Sequence, residues 1–208
     1  MPIKNLLFDL GGVIMDIRRQ RCVEAFERLG LKNAADYFGE FSQKGVFMQL
    51  ERGDISVEEF HEAFRPNLPA GTTDTQIDSA FCQFLTGIPA YRLGQLLELR
   101  KHFKVYLLSN TNLVMWDSTI ADEFRKEGLT REDYFDGIVT SFRANALKPE
   151  AKIFKYAEDT LHIRPEETLF FDDSQTNLDA AAALGFHTAL VPPGAEFMDI
   201  IKEKGLIK

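Results

Sequence analysis

"LLFDLGGVIMD" runs from Leu6 to Asp16. A continuous apolar run is what a strand buried on both faces of a parallel sheet looks like. Here the run meets Asp9, and after one leucine come Gly11 and Gly12. A carboxylate at the end of a buried strand is costly unless something compensates its charge. Taken alone, Asp9 also suits a turn, where an Asp side chain accepts backbone hydrogen bonds. Glycines at such a place let the main chain come close to a ligand.

Four further apolar runs resemble the first: Val105–Leu108, Gly137–Thr140, Thr168–Phe171 and Thr188–Val191, with the first read as Asn5–Leu10. From the second run onward, helical patterns separate them. Leu113–Glu127 follows the second, Pro149–Leu161 the third and Thr176–Leu184 the fourth, the last stopping at Gly185. Pro149 suits the first position of its helix. Alternating strands and helices predict an α/β fold with a doubly wound parallel sheet.

The stretch between the first two strands breaks this rhythm and reads as wholly helical. Gln20–Leu29 is amphipathic and stops at Gly30; Ser56 and Glu59 form a capping box before Phe60 and Phe64; Thr75–Phe84 and Ala90–His102 are also helical. Residues 18–88 are therefore expected to be an inserted helical-bundle cap, and residues 1–17 with 89–208 the core. Within the cap, Glu51-Arg52-Gly53-Asp54 reads either as a helix-ending loop that faces the site or as a solvated turn. Trp116 suits either docking against the cap or the core.

The chain has 208 residues, 45% hydrophobic, with 18 Phe, enough for a substantial aromatic core. Basic residues number 24 and acidic ones 32, a net charge of −8. That argues against nonspecific binding to nucleic acid or an anionic membrane, though a local site on an acidic protein can still take an anion. Cys22 and Cys82 lack metal-ligand spacing and read as buried free thiols of a reducing compartment. No signal peptide or spanning segment is visible, so a soluble cytoplasmic protein is expected, a monomer or a weak homodimer.

Ligands of open α/β sheets bind beyond the carboxyl ends of the strands. Four groups fall there: Asp9; Ser109-Asn110; Lys148 before Pro149; and Asp172-Asp173-Ser174. Each has an ordinary reading. Ser109 suits a strand end or helix cap, Lys148 a solvated lysine, and Asp173 or Ser174 an N-cap. The acid pair resists such a reading, because adjacent like charges after "TLFF" are costly at a buried strand end. A hard divalent cation, Mg²⁺, would offset that cost. Asp9 could then attack phosphorus, with Ser109, Asn110 and Lys148 holding phosphoryl oxygens and the Gly11-Gly12 backbone close to metal and phosphate.

In this order the motifs "DLGGV", "LLSNTN", "ALKPEAKIF" and "LFFDDSQTN" resemble those of the haloacid dehalogenase-like (HAD) superfamily. The resemblance covers the whole chain, cap included. Within the superfamily it is greatest to the alpha-D-glucose-1-phosphate phosphatase branch and to the phosphatase domain of soluble epoxide hydrolases. It implies a Mg²⁺-dependent phosphatase acting on a small phosphorylated metabolite. Asp9 would be nucleophile and metal ligand, with the Gly11 carbonyl a second ligand. Asp173 would be the direct carboxylate ligand, and Asp172 a direct or water-mediated one. Ser109 and Asn110 would bind phosphate, Lys148 would pair with nucleophile and phosphate, and Asn177 would orient Lys148 or the acidic loop. The sequence departs from most phosphatases of the superfamily at Gly11, where they carry an acid–base Asp. Asp16 is a rival source of that acid, or a hinge residue. The alternatives are a metal-independent 2-haloacid dehalogenase, which the acid pair disfavours, and a non-catalytic phosphate-binding relic.

Overall fold

The computed structural model describes residues 2–39 and 43–207. Its sheet is built from β1 (Asn5–Phe8), β4 (Lys104–Ser109), β5 (Gly137–Thr140), β6 (Thr168–Asp172) and β7 (His187–Leu190), with β2 (Asp16–Ile17) and β3 (Leu85–Gly87) forming a separate antiparallel ribbon. The five-stranded sheet is parallel throughout, in the order β5-β4-β1-β6-β7. Strand β1 is central. Phe8 is in register with Leu107 on one side and Phe171 on the other. The strands on both sides therefore end beside Asp9.

Alternation along β1 decides its packing. Leu6 and Phe8 belong to one apolar cluster, with Val105, Leu107 and Phe171. Leu7 points to the other face, among Leu108, Val139, Phe154 and Phe170. Helices cover both faces, which is why these strands read as unbroken apolar runs. The rings of Phe8 and Phe171 stack at 4.7 Å.

The helices are α1 (Arg19–Arg28), α2 (Val46–Arg52), α3 (Val57–Phe64), α4 (Asp74–Cys82), α5 (Ala90–Leu99), α6 (Leu113–Met115), α7 (Ala121–Arg125), α8 (Arg131–Tyr134), α9 (Ser141–Ala144), α10 (Ala151–Leu161), α11 (Gln175–Ala183) and α12 (Phe197–Glu203). The run from α1 to α4 packs around a phenylalanine cluster. Phe47 alone meets the rings of Phe26, Phe38, Phe60, Phe64 and Phe81 at 4.7–5.6 Å. Ser56 caps α3 in the expected box with Glu59. No helix among the described residues is long and apolar enough to cross a membrane.

Four expectations need correction. The stretch between β1 and β4 is not wholly helical, since β2 and β3 bound α1–α4; strands of two and three residues are too short to show alternation. Pro149 is not in the first turn of its helix, because α10 starts at Ala151 after the N-cap Glu150. The carboxamide of Asn110 binds both the N–H and the carbonyl of Lys148, so the chain at Lys148 is held in a loop before the helix can begin. The segment 113–125 is interrupted by a π-helical turn, Trp116–Ile120. Trp116 is buried there, under the Arg131 guanidinium at 4.2 Å. Cys22 is buried and unpaired; Cys82 is unpaired but only half-buried.

Candidate active site

Asp9 continues the β1–β6 ladder by one bond, its N–H donating to the Phe171 carbonyl at 2.8 Å. The chain then turns sharply, Leu10 accepting from the N–H groups of Ile14 and Met15. The Asp9 carboxylate accepts from the Leu10 N–H at 2.7 Å and pairs with Lys148 Nζ at 2.8 Å, both at Oδ1.

Lys148 arrives from the loop after α9 and is buried. Its ammonium also donates to Asp172 Oδ2 at 2.7 Å. The other oxygen of Asp172 accepts from the Ser174 N–H at 2.8 Å and from Asn177 Nδ2 at 3.0 Å. Asp172 is 0% exposed and both its oxygens are engaged. Asn177 thus touches the acidic loop rather than Lys148. Ser174 sits at the N-cap of α11 but makes no side-chain capping bond. Both polar atoms of the Asn110 side chain are taken up by the Lys148 backbone. Ser109 is buried, with its hydroxyl 3.4 Å from the Asn110 carbonyl.

One lysine cannot balance three carboxylates, and the titration behaviour follows from that. Asp9 is pushed up to about 8, chiefly by burial; Lys148 opposes the rise, and the charges of Asp172 and Asp173 add to it. Burial alone would lower Lys148, but Asp172 and Asp9 outweigh it and hold the ammonium above its usual value. The surplus negative charge belongs at a cation site. Asp9, Asp172 and Asp173 each offer a carboxylate oxygen, all within 4.8 Å of one another. Gly12 leaves the space in front of Asp173 open, since a Cβ there would lie 2.1 Å from Asp173 Oδ2. An all-oxygen set with excess charge fits a hard divalent ion such as Mg²⁺.

Sequence reasoning left several neighbours unassigned. The Ser141 hydroxyl accepts from the Thr111 N–H and donates to the Thr111 carbonyl, both at 2.9 Å, bracing the loop after Ser109. Asp16 does not line the pocket around Asp9; it pairs with Arg92 at 2.7 Å, and its side chain is 54% exposed. Arg92 also clasps Glu196 and donates to the Ile14 carbonyl. Glu51, in α2, does line the pocket, as does Gln43. Burial pushes the Glu51 carboxyl up to about 8. The Gly53 end of this segment docks on the core, where the Gly53 carbonyl accepts from Asn145 at 3.1 Å. The pocket encloses about 80 Å³.

This arrangement defines a class. The chain matches the haloacid dehalogenase-like hydrolase family over residues 3–185, and it belongs to that family. Among its relatives is the D-ribitol-5-phosphate phosphatase of Bacteroides thetaiotaomicron, 36% identical over 195 residues, 94% of this chain and 95% of the relative. A wild-type HAD family enzyme of the same organism, crystallised with magnesium and inorganic phosphate, superposes with a TM-score of 0.89 at 39% identity, covering 95% of this chain and 98% of that one. A predicted HAD-like family hydrolase from Porphyromonas gingivalis gives 0.91 at 31% identity, with both chains covered in full.

Proposed function

We propose that the protein is a Mg²⁺-dependent phosphatase of small phosphorylated sugars or polyols, working through an aspartyl-phosphate on Asp9. One observation carries the reading: a strand-end carboxylate is bridged by a buried lysine to an acid pair that together hold more negative charge than the lysine can neutralise. Similarity to a D-ribitol-5-phosphate phosphatase supports the substrate class. The narrower glucose-1-phosphate expectation has no such support, and a ribitol 5-phosphate leaves a primary alkoxide rather than an anomeric oxygen.

Asp9, Asp173 and the Gly11 carbonyl would hold the ion, with Asp172 positioned behind them. The chemistry Mg²⁺ supplies when bound is charge neutralisation, which lets carboxylate and phosphate approach. Asp9 attacks phosphorus; the ester P–O bond breaks and its electron pair leaves on the alkoxide, which takes its proton from solvent water. Water then attacks the acyl phosphate, releasing inorganic phosphate and the Asp9 carboxylate. Lys148 and Ser109 stabilise the phosphoryl oxygens, while the Asn110 side chain holds the lysine loop and its main chain is left to meet phosphate. Gly12 keeps the approach clear. Residues 18–88 act as a cap that closes the pocket. The unpaired cysteines support a cytoplasmic setting.

The test is hydrolysis of ribitol 5-phosphate and p-nitrophenyl phosphate under Mg²⁺ titration, beside chloride release from 2-chloroacids. Metal-dependent phosphate release that vanishes in Asp9→Asn is expected. Metal-independent chloride release would replace the reading with dehalogenation.

A further inference from the structure

We propose that Glu51 and Gln43 of the helical insert, with Thr111 of the core, form a hydroxyl-binding subsite that selects phosphate esters of short polyhydroxylated chains. The proposal rests on the phosphatase reading for what enters the pocket, and it adds which residues recognise the part of the substrate beyond the phosphate.

All three residues line the same pocket as Asp9 and Lys148. All three are buried, Glu51 at 7% and Gln43 at 6% exposure. Gln43 Oε1 and the Thr111 hydroxyl have no hydrogen-bond partner, and the Glu51 carboxyl has neither a hydrogen bond nor an ion pair among the described residues. Native proteins leave few buried polar groups unpaired, so two such atoms and a buried carboxyl around one cavity point to a ligand that completes them.

The placement of Glu51 is enforced rather than slack. Arg52, next to Glu51, makes a two-pronged ion pair with Glu150 at 2.5 and 3.0 Å. Asn145 donates to the Gly53 carbonyl, and Gly53 lies so close to the core that a Cβ would stand 2.3 Å from the Phe142 carbonyl. The end of α2 is thus clamped to the loops that carry Lys148, and the clamp presents Glu51 to the cavity.

The chemistry of the three groups matches hydroxyls. A glutamine carbonyl accepts, a threonine hydroxyl does both, and a carboxyl that burial keeps protonated near neutral pH also donates and accepts. A substrate hydroxyl needs both kinds of partner. Among the described residues the lining offers no cation besides Lys148, which Asp9 and Asp172 already engage. A second anionic group on the substrate would go unpaired, so bisphosphates and phosphorylated acids are disfavoured.

Ribitol 5-phosphate and pentyl phosphate share a primary alkyl leaving group and differ in hydroxyls, which makes them the diagnostic pair. Their kcat/KM ratio, together with p-nitrophenyl phosphate turnover and melting temperature, is to be measured in wild type, Glu51→Leu, Glu51→Gln and Gln43→Met. The ratio should favour ribitol 5-phosphate in wild type and fall by about 10–100-fold in Glu51→Leu and Gln43→Met, with Glu51→Gln intermediate. Turnover of the two substrates without hydroxyls should hold within about threefold, and melting temperature should stay or rise. Equal losses on pentyl and ribitol phosphates would overturn the subsite and place Glu51 at the reacting centre. An unchanged ratio, or a uniform loss with a lower melting temperature, would overturn it as well. Calorimetric binding of both esters to the Asp9→Asn protein separates the two readings: absent turnover in wild type defeats the phosphatase, whereas absent binding preference defeats the subsite.

Discussion

A Cβ on Gly12 would fall 2.1 Å from Oδ2 of Asp173, well inside contact distance. Gly12 also has φ +75°, a left-handed conformation that L side chains rarely adopt. The loop after β1 and the loop after β6 therefore touch through a missing side chain. Its neighbour differs: a Cβ on Gly11 would meet Ile17 Cγ2 at 3.4 Å, an ordinary contact. The two glycines of the motif have separate reasons.

Gly12→Ala should accordingly abolish turnover and lower stability by at least the left-handed strain of about 1–2 kcal/mol. Gly11→Ala should keep turnover within about threefold, since its backbone and surroundings accept a methyl group. Thermal melts and Mg²⁺-dependent kcat compare the pair. Full activity in Gly12→Ala would mean that Asp173 does not need the close approach.

The acid pair should divide its labour. Asp172 already spends both oxygens, on Lys148 and on the donors of Ser174 and Asn177. An amide in place of this carboxylate must turn its NH₂ toward one of these donors, so Asp172→Asn should cost about 1–3 kcal/mol of stability. Asp173→Asn should weaken Mg²⁺ by at least about tenfold. Calorimetric Mg²⁺ titration and thermal melts of both variants decide it. Wild-type affinity in Asp173→Asn would remove that residue from the metal site.

Asp16 is held in an ion pair with Arg92. It joins the first strand of the ribbon to Arg92 in α5, and Arg92 in turn holds Glu196 at the N-cap of α12. Asp16→Asn should change kcat/KM by less than about threefold and leave its dependence on leaving-group pKa unaltered, since a positioned general acid is worth about 10²–10⁴-fold. The exposed side of the pair limits the stability loss to about 1 kcal/mol. Gly11→Asp, whose Cβ has room, should raise rates for alkyl phosphates more than for aryl ones. A leaving-group dependence that steepens in Asp16→Asn would give Asp16 the proton-donating role.

How much of this could be read from the chain depends on range. The five sheet strands are continuous apolar runs, and their carboxyl ends coincide with the motifs that carry Asp9, Ser109, Lys148 and Asp172, so fold class and site location were legible together. Residues whose meaning lies in distant contacts were not. Arg92 looks like a surface residue of α5 until Asp16 and Glu196 close on it. That the Asn110 side-chain amide is spent on the Lys148 backbone is a contact across 38 residues that no local pattern shows. Glu51 near the end of a helix reads either as facing the site or as a solvated acid, and the docking of Arg52 and Gly53 on the core decides that it is buried. The ribbon of β2 and β3 was invisible because so few residues carry no period.

Glu51 also has a stability signature of its own. Its carboxyl sits at about 8 in the folded protein, whereas an unfolded chain returns it to about 4.3. The folded state therefore holds an extra proton between these values. Stability follows the difference in protons bound, unfolded minus folded, so this group makes stability fall as pH rises from about 4.3 toward 8. Below that window the two states are equally protonated and the residue costs nothing through ionisation. Above it the penalty is fully present, on the order of a few kcal/mol for a shift of this size. Glu51→Gln cannot ionise and should escape it. The melting temperature of Glu51→Gln minus that of wild type should thus be near zero at about pH 4.5 and grow positive toward about pH 8.5, measured without Mg²⁺ or phosphate. A difference that stays flat across the range would show that the Glu51 carboxyl ionises freely in the folded protein, and with it would go the neutral donor that the hydroxyl subsite requires.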